Sequence, residues 1–176
     1  SKAAQFLSVP LESIGTAMTT YASQNIGAHD LKRVDRGVYT ALGIGCVYSV
    51  ASFLILRVLD KRLIGLFLSG DQGEIMANAQ SFIFWNSVFY IPLAVLIIYR
   101  YTIQGLGYSG LAMFAGVAEM IARALVGFLF VPLWNYFAAC IANPVAWIFA
   151  CAFLIPAYLA VHRRLLKEKD MGHATI

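Results

Sequence analysis

Long apolar runs, separated by short polar stretches, dominate the sequence. Five of these runs reach the length of about 20 residues that a helix needs to cross the hydrocarbon core of a bilayer. They cover approximately residues 4–28, 38–59, 81–101, 108–131 and 137–161, and a basic tail follows at 162–176. The runs lack the alternation of membrane β-strands. The pattern therefore predicts an all-α polytopic membrane protein with five transmembrane helices.

Composition indicates the same class of protein. The 176 residues are 60% hydrophobic and only 12% charged, whereas about a quarter of a soluble domain is charged. Disorder is excluded, because disordered chains are rich in charge and poor in apolar residues. The net charge of +4 does not indicate a nucleic-acid partner, since the basic residues lie in short clusters between apolar runs. The partner that this composition predicts is the lipid bilayer.

The distribution of basic residues predicts an orientation. Eight lie on one side, in the links after the first and third runs and in the tail: Lys32, Arg33, Arg36, Arg100, Arg163, Arg164, Lys167 and Lys169. Four lie on the other side: Lys2, Arg57, Lys61 and Arg62. The positive-inside rule then places both links and the C-terminus in the cytoplasm. Since no signal sequence is visible, an N-terminus outside the cell predicts at least one preceding helix.

Two polar strings end the first and third runs. The first string is residues 21–30, which read Tyr-Ala-Ser-Gln-Asn-Ile-Gly-Ala-His-Asp. We expect its Gln24 and Asn25 to stabilise the helix end, with Gly27 as the C-terminal cap. The second string, Gln104-Gly105-Leu106-Gly107, predicts a tight turn on the cytoplasmic side. The glycine spacing of this second string also matches a dinucleotide-binding fingerprint. That fingerprint requires a preceding strand, so nucleotide binding is not expected between two membrane spans.

Both strings resemble motifs of the MATE family of multidrug and toxic compound extrusion transporters. In that family a polar helix ends in Gln-Asn-x-Gly-Ala before a charged turn, and a later turn reads Gln-Gly-x-Gly. The resemblance implies a twelve-helix transporter of two six-helix lobes, in which the present spans match helices eight to twelve. The missing N-terminal lobe of the same chain would then be a partner of these five helices.

The resemblance also implies a function and a location. It implies export of a hydrophobic or cationic organic compound in exchange for Na⁺ or H⁺, without enzyme activity or a bound cofactor. The expected location is a bacterial plasma membrane. Some branches of the family carry a cation-binding Asp in the third of these spans. Residues 81–101 contain no acidic residue, so that ion-coupling scheme does not transfer to this chain.

Three charged side chains lie inside the predicted spans and away from their ends, where each costs roughly 2.5–3.5 kcal/mol to insert. Glu119 and Arg123 are four residues apart, so they share a helix face and are expected to pair. The pair could fix helix packing or act in transport. Glu12 has no basic residue within one helical turn. It is the candidate for binding the coupling ion or the substrate, against a hydrogen-bonded structural role.

Other polar and aromatic residues extend the list of candidates. Thr16 and Thr20 belong to a hydroxyl and amide face of the first span and could line a cavity, or could join neighbouring helices by hydrogen bonds. Trp85 lies in an aromatic stretch that could hold a cationic compound or form an interfacial belt. The cysteines and histidines lack the spacing of a metal site: Cys46, Cys140, Cys151, His29, His162 and His173.

Two further functions fit a membrane chain of this kind. One is a flippase for a lipid-linked precursor, in a sister family with the same lobed architecture. Flippases of that family tend to have a strongly basic cavity, and Arg123 is the one cation that the sequence predicts to be buried. The other is an intramembrane enzyme. It would need a nucleophile with a base, or a metal cluster, within the spans, and the sequence shows neither.

Overall fold

A computed structural model describes the backbone of residues 2–67 and 73–173, and the side chains of residues 8–58 and 77–169. This backbone is helical apart from short turns. The helices are α1 (Lys2–Gly27), α2 (Leu31–Phe67), α3 (Gly73–Val88), α4 (Tyr90–Gly105), α5 (Ser109–Leu125), α6 (Val131–Trp134) and α7 (Tyr136–His173), and a π-helical turn at Val126–Phe130 joins α5 to α6. The predicted all-α fold class is confirmed.

Several of these helices are suited to a bilayer by length and composition. Three stretches in the described residues are long and apolar enough to span it: Leu31–Val58, Ser109–Trp134 and Tyr136–Lys169. The bent pair of α3 and α4 makes a fourth if it counts as one span. Helix α1 has 26 residues, but its hydroxyl and amide side chains lower its hydropathy. The count of five spans therefore stays a prediction.

Large apolar side chains on the outside of the bundle identify its solvent. Val58 and Phe128 are more than 80% exposed, and Val47 and Met113 are more than 65% exposed. In water, an apolar outer surface of this kind would drive aggregation, whereas in lipid it is the expected surface. The chain is therefore an all-α polytopic membrane protein.

The helices extend beyond the apolar runs. Helix α2 begins at Leu31 and continues through Phe67, and α7 continues to His173 through most of the predicted tail. An apolar run measures the thickness of hydrocarbon, whereas a helix can continue into water when its residues favour helix. One assignment was wrong: Arg100 lies inside α4 and not in a link.

Helix α4 lies at the centre of the bundle, packed against α1, α2, α5 and α7. Glycines allow its closest approach, to α1. A Cβ added at Gly105 would lie 2.4 Å from the backbone oxygen of Thr19, and one added at Gly15 would lie 2.7 Å from Ile97 and Tyr101. The Thr19 hydroxyl also donates to the carbonyl of Tyr101 at 3.1 Å. Helices α1 and α4 are thus in contact at backbone level.

Prolines account for two irregularities in the helices. Helices α3 and α4 meet at an angle of 53°, and Pro92 in the first turn of α4 has no N–H to donate back to α3. Near the end of α5, the N–H of Val131 bonds to the carbonyl of Val126, five residues back. This wider turn precedes Pro132, whose ring would clash with the carbonyl four residues before it in a regular α-helix.

The two polar strings form the same kind of turn. Helix α1 ends with hydrogen bonds from His29 N to Ile26 O at 3.0 Å and from Asp30 N to Asn25 O at 2.9 Å. Helix α4 ends with the same pattern, from Gly107 N to Gln104 O at 3.0 Å and from Tyr108 N to Ile103 O at 3.1 Å. Both are Schellman motifs, which require one residue with positive φ.

The residue with positive φ differs from the prediction in the first turn. Gly107 has the expected conformation, with φ of 93°. In the first turn the positive φ of 56° belongs to His29, and Gly27 is the last residue of α1. The prediction that Gly27 is the cap was therefore wrong, because the hydrogen bonds that close the motif place its left-handed position two residues later. Asn25 does stabilise this end: its backbone carbonyl closes the motif.

The two turns and the end of α7 lie together at one end of the bundle. The Lys169 ammonium donates to the His29 carbonyl at 3.2 Å, and the Arg164 guanidinium lies 5.8 Å from the centre of the Tyr108 ring. Asp35 of α2 accepts from the Tyr158 hydroxyl at 2.8 Å and contacts His162 Nε2 at 2.9 Å, both on α7. The prediction that these segments share one side is confirmed, and their location in the cytoplasm stays a prediction.

Candidate functional site

A network of polar side chains crosses four helices in the middle of the bundle. We call it the polar network, and its members are Asn86 of α3, Arg100 of α4, Glu119 and Arg123 of α5, and Asn143 of α7. The hydrogen bonds run from Asn86 through Asn143, Arg123 and Glu119 to Arg100. In a bilayer such groups have no water to bond with, so their partners must come from neighbouring helices.

Glu119 is the acidic centre of the polar network. It is buried, and Arg123 donates to its Oε2 at 2.9 Å from one helical turn away. The predicted pairing of Glu119 with Arg123 is confirmed. Arg100 donates from Nη2 to the other carboxylate oxygen, Oε1. Both oxygens are therefore occupied by guanidinium groups from two different helices.

The other half of the polar network compensates for a proline. Pro144 of α7 has no N–H, so the carbonyl of Cys140 loses its helical partner. The amide nitrogen of Asn86 lies 3.3 Å from that carbonyl and 2.8 Å from the carbonyl of Phe82. Asn143 donates to Asn86 Oδ1 at 3.1 Å and accepts from Arg123 Nε at 3.1 Å. The orientation of both amides is thus determined by their neighbours.

The charges of the polar network exclude one of its possible roles. Two arginines and one glutamate give a net charge of +1. The Arg100 and Arg123 side chains are 26% and 41% exposed, and Arg100 Nε is buried with no hydrogen-bond partner among the described residues. A Na⁺ ion at Glu119 would be a third positive charge beside one carboxylate. The polar network is therefore suited to hold helices together and to donate hydrogen bonds to an anion or another acceptor. It is unsuited to bind a coupling cation.

The predicted polar face of α1 is present and points outward. Glu12, Thr16 and Thr20 follow one another at four-residue spacing, and all three are exposed. The Thr16 hydroxyl donates to the backbone carbonyl of Glu12 at 2.9 Å, so it does not join α1 to another helix. No hydrogen bond or ion pair to the Glu12 carboxylate is found among the described residues. The Glu12 carboxylate is thus exposed on this face, and its role in binding the coupling ion or the substrate stays a prediction.

Trp85 lies in an aromatic cluster at the end of the bundle opposite the two turns. Its ring makes edge-to-face contacts with Phe84, at a centroid distance of 5.7 Å, and with Phe137, at 5.4 Å. Trp134 extends the cluster from the end of α6. These contacts agree with the interpretation of Trp85 as part of an interfacial belt. No cationic group contacts its ring among the described residues.

Sequence reasoning missed three members of the polar network and one smaller cluster. Asn86, Arg100 and Asn143 act across helices, and nothing in their own runs indicates their partners. The smaller cluster joins Asp35 to Tyr158 and His162. Asp35 is more than 120 residues from each of the other two along the chain. One local signal exists: Pro144 indicates that the carbonyl of Cys140 lacks its helical donor, and the polar Asn143 directly precedes this proline.

No metal centre is found in the described part of the chain. Among its side chains, no group of three or more His, Cys, Asp or Glu could hold a metal ion. The three cysteines are free and lie apart. The described residues thus offer polar faces and hydrogen-bonded networks for binding.

Outward apolar surfaces, a buried charged network and an exposed polar helix face define an integral membrane protein with internal polar sites. Comparison with known proteins then assigns the family. The MatE family model matches residues 1–129, nearly three quarters of the chain, so the chain belongs to the MatE (MATE) family of membrane transporters. No curated protein and no solved structure matches the chain.

Proposed function

We propose that the chain belongs to a secondary active transporter that exports hydrophobic or cationic organic compounds in exchange for Na⁺ or H⁺. In this proposal the helices work with an N-terminal lobe of the same chain and rock around a site near the bilayer midplane. The protein would lie in a bacterial plasma membrane with its C-terminus in the cytoplasm. Membership of the MatE family supports the transport class, and the residues of α1 support the exchange.

The observation that carries this proposal is the exposed carboxylate of Glu12 on the polar face of α1. A charged side chain facing hydrocarbon costs roughly 2.5–3.5 kcal/mol, and Thr16 and Thr20 extend the same face. Ten residues separate Glu12 from the start of α1, which places it about 15 Å along the helix. A carboxylate at that depth is stable beside a water-filled cavity, where it can bind a cation or a proton.

The polar network supports the assignment of this role to Glu12. Glu119 is the other acidic residue within the predicted spans, and two guanidinium groups already occupy its oxygens. A cation that drives exchange needs a carboxylate with free lone pairs. Among the described residues, the Glu12 carboxylate meets that condition and the Glu119 carboxylate does not.

An exchange assay on the full-length protein tests the proposal. Reconstituted vesicles would be loaded with a cationic dye, and dye movement would be followed under an imposed Na⁺ or H⁺ gradient. We expect Glu12→Gln to insert normally and to lose gradient-driven exchange. Glu168→Gln is the matched control, because Glu168 is an exposed carboxylate that pairs with Arg164 near the end of α7. Full transport by Glu12→Gln, or no dye movement with either gradient, would contradict the proposal.

A lipid-linked precursor flippase is the second candidate, and one structural observation favours it. Arg123 is not the single cation within the bundle, because Arg100 also lies in a helix and reaches Glu119. The excess positive charge of the polar network is compatible with a pyrophosphate-bearing lipid. A lipid-flipping assay on the same vesicles distinguishes the two functions, because a flippase would move a labelled lipid pyrophosphate and leave the dye gradient unchanged.

A further inference from the structure

A groove of about 420 Å³ runs along the outer surface between α1 and α2. Its volume lies within the range of small-ligand sites. Most of its lining is apolar, with Ile14, Ala17 and Met18 on α1 and Ile44 on α2. Tyr21 and Arg36 line its other end, near the turn that joins the two helices. The groove is therefore amphipathic along its length.

The polar end of the groove has a fixed shape. Gly37 lets the Tyr21 ring lie directly on α2, because a Cβ at this position would lie 2.3 Å from the ring. The Tyr21 hydroxyl donates to the backbone carbonyl of Arg33 at 3.3 Å. The Tyr21 ring packs against Gly37 and its hydroxyl is hydrogen-bonded, so the side chain is already ordered before a ligand enters.

The charge at this end is unbalanced. Arg36 is exposed, and no hydrogen bond or ion pair of its guanidinium is found among the described residues. The neighbouring carboxylate of Asp35 is occupied on another face of α2, by Tyr158 and His162 of α7. Lys32 is exposed one turn earlier on α2. A ligand with a negative group would therefore find an available guanidinium at the mouth of the groove.

We propose that this groove binds an anionic phospholipid, with its phosphate on Arg36 and an acyl chain along Ile14, Ala17 and Ile44. Guanidinium groups bind phosphate oxygens through paired hydrogen bonds. Basic pockets between membrane helices at the headgroup level are recognition sites for anionic lipids. A cationic transport substrate does not fit the same groove, since Arg36 would repel it. The site is independent of the proposed transport function.

Native mass spectrometry of the purified full-length protein tests this proposal directly. The protein would be titrated with phosphatidylglycerol and, separately, with phosphatidylcholine. We expect one tightly retained phosphatidylglycerol and weaker retention of phosphatidylcholine. Arg36→Gln should weaken phosphatidylglycerol retention about fivefold, which corresponds to about 1 kcal/mol for one basic residue at a membrane surface. Arg163→Gln, an exposed arginine at the same end of the bundle on α7, should leave retention unchanged.

A second variant keeps the test valid if Arg36→Gln disturbs folding. Ala17→Phe fills the apolar part of the groove without changing any charge, and it should abolish retention of the lipid while the helical circular dichroism stays the same. Equal losses in Arg36→Gln and Arg163→Gln would show diffuse surface attraction and overturn the proposal. Equal retention of the two lipids, or no retained lipid because another segment of the protein fills the groove, would overturn it as well.

Discussion

The carbonyl of Cys140 provides a test of how the polar network stabilises the bundle. Pro144 deprives this carbonyl of its helical donor, and Asn86 supplies one from α3 at 3.3 Å. The perturbation is Asn86→Ala, made once in the natural sequence and once together with Pro144→Ala. Alanine at 144 restores the backbone N–H, so the carbonyl regains a partner inside α7 and no longer depends on α3. We therefore expect Asn86→Ala to cost less in the second background.

The size of this difference follows from the bond concerned. An unpaired buried group costs about 1–3 kcal/mol in soluble proteins, and interhelical hydrogen bonds in a membrane protein average about 0.6 kcal/mol with a maximum near 1.7. Asn86 and Cys140 are almost inaccessible, so we expect a coupling of about 1 kcal/mol. Asn86→Ala also leaves the Asn143 amide without its acceptor, but that cost occurs in both backgrounds and cancels in the cycle.

The assay is reversible unfolding of the purified protein in mixed micelles, followed by far-ultraviolet circular dichroism as the fraction of dodecyl sulfate rises. Asn78→Ala on the same helix is the control, since no hydrogen bond from the Asn78 side chain to α7 is found among the described residues, and its cost should be equal in both backgrounds. Independent sites add within about 0.5 kcal/mol. If Asn86→Ala and Pro144→Ala add within that margin, Asn86 does not serve the freed carbonyl and the reasoning fails.

Three further predictions concern close packing, charge and backbone strain, all read as the free energy of unfolding in the same assay. Gly105→Ala should cost about 1–3 kcal/mol, because its Cβ would meet the backbone of α1 at 2.4 Å, whereas Gly110→Ala meets open space and should cost nothing. Glu119→Gln should cost about 1–3 kcal/mol, because two partly exposed guanidinium groups lose their carboxylate, and Arg123→Gln should cost less, since the carboxylate keeps its other arginine; equal costs would contradict this. Gly107→Ala should cost about 1–2 kcal/mol at its φ of 93°, and a neutral result would show that the turn can relax.

Local patterns in the sequence predicted what depends on neighbours along the chain. The four-residue spacing of Glu119 and Arg123 sufficed to predict their pairing, because the geometry of one helix determines it. The apolar runs predicted helices for the same reason. The prediction for the cap of α1 was wrong because Gly27 carries the usual local signal of a C-terminal cap, whereas His29 adopts the positive φ. Only the hydrogen bonds that close the turn decide which of them takes positive φ.

Contacts between helices could not be predicted in this way. Arg100 was assigned to a link because it stands near the end of an apolar run, and its interaction with Glu119 joins residues 19 positions apart. Asn86 reaches Cys140 across 54 positions. Pairings of this kind depend on the angle and register of packed helices, and no periodicity along a single helix encodes them. The polar face of α1 that carries Glu12 is an intermediate case. The sequence pattern predicted a polar face, but it could not predict whether that face is buried or exposed.

The arrangement of α1 and α4 sets a condition on any exchange mechanism at Glu12. If binding of a cation at Glu12 moves α1, the movement must be passed to α4 or must break the contact between them, because Gly105 places the two backbones too close for α1 to slide freely. Helix α4 also carries Arg100, whose guanidinium ties it to α5 through Glu119. Closely packed helices transmit displacements and deform little. A response to the charge on Glu12 would thus move the helices joined by the polar network as one unit, which is the rigid-body behaviour that alternating access requires.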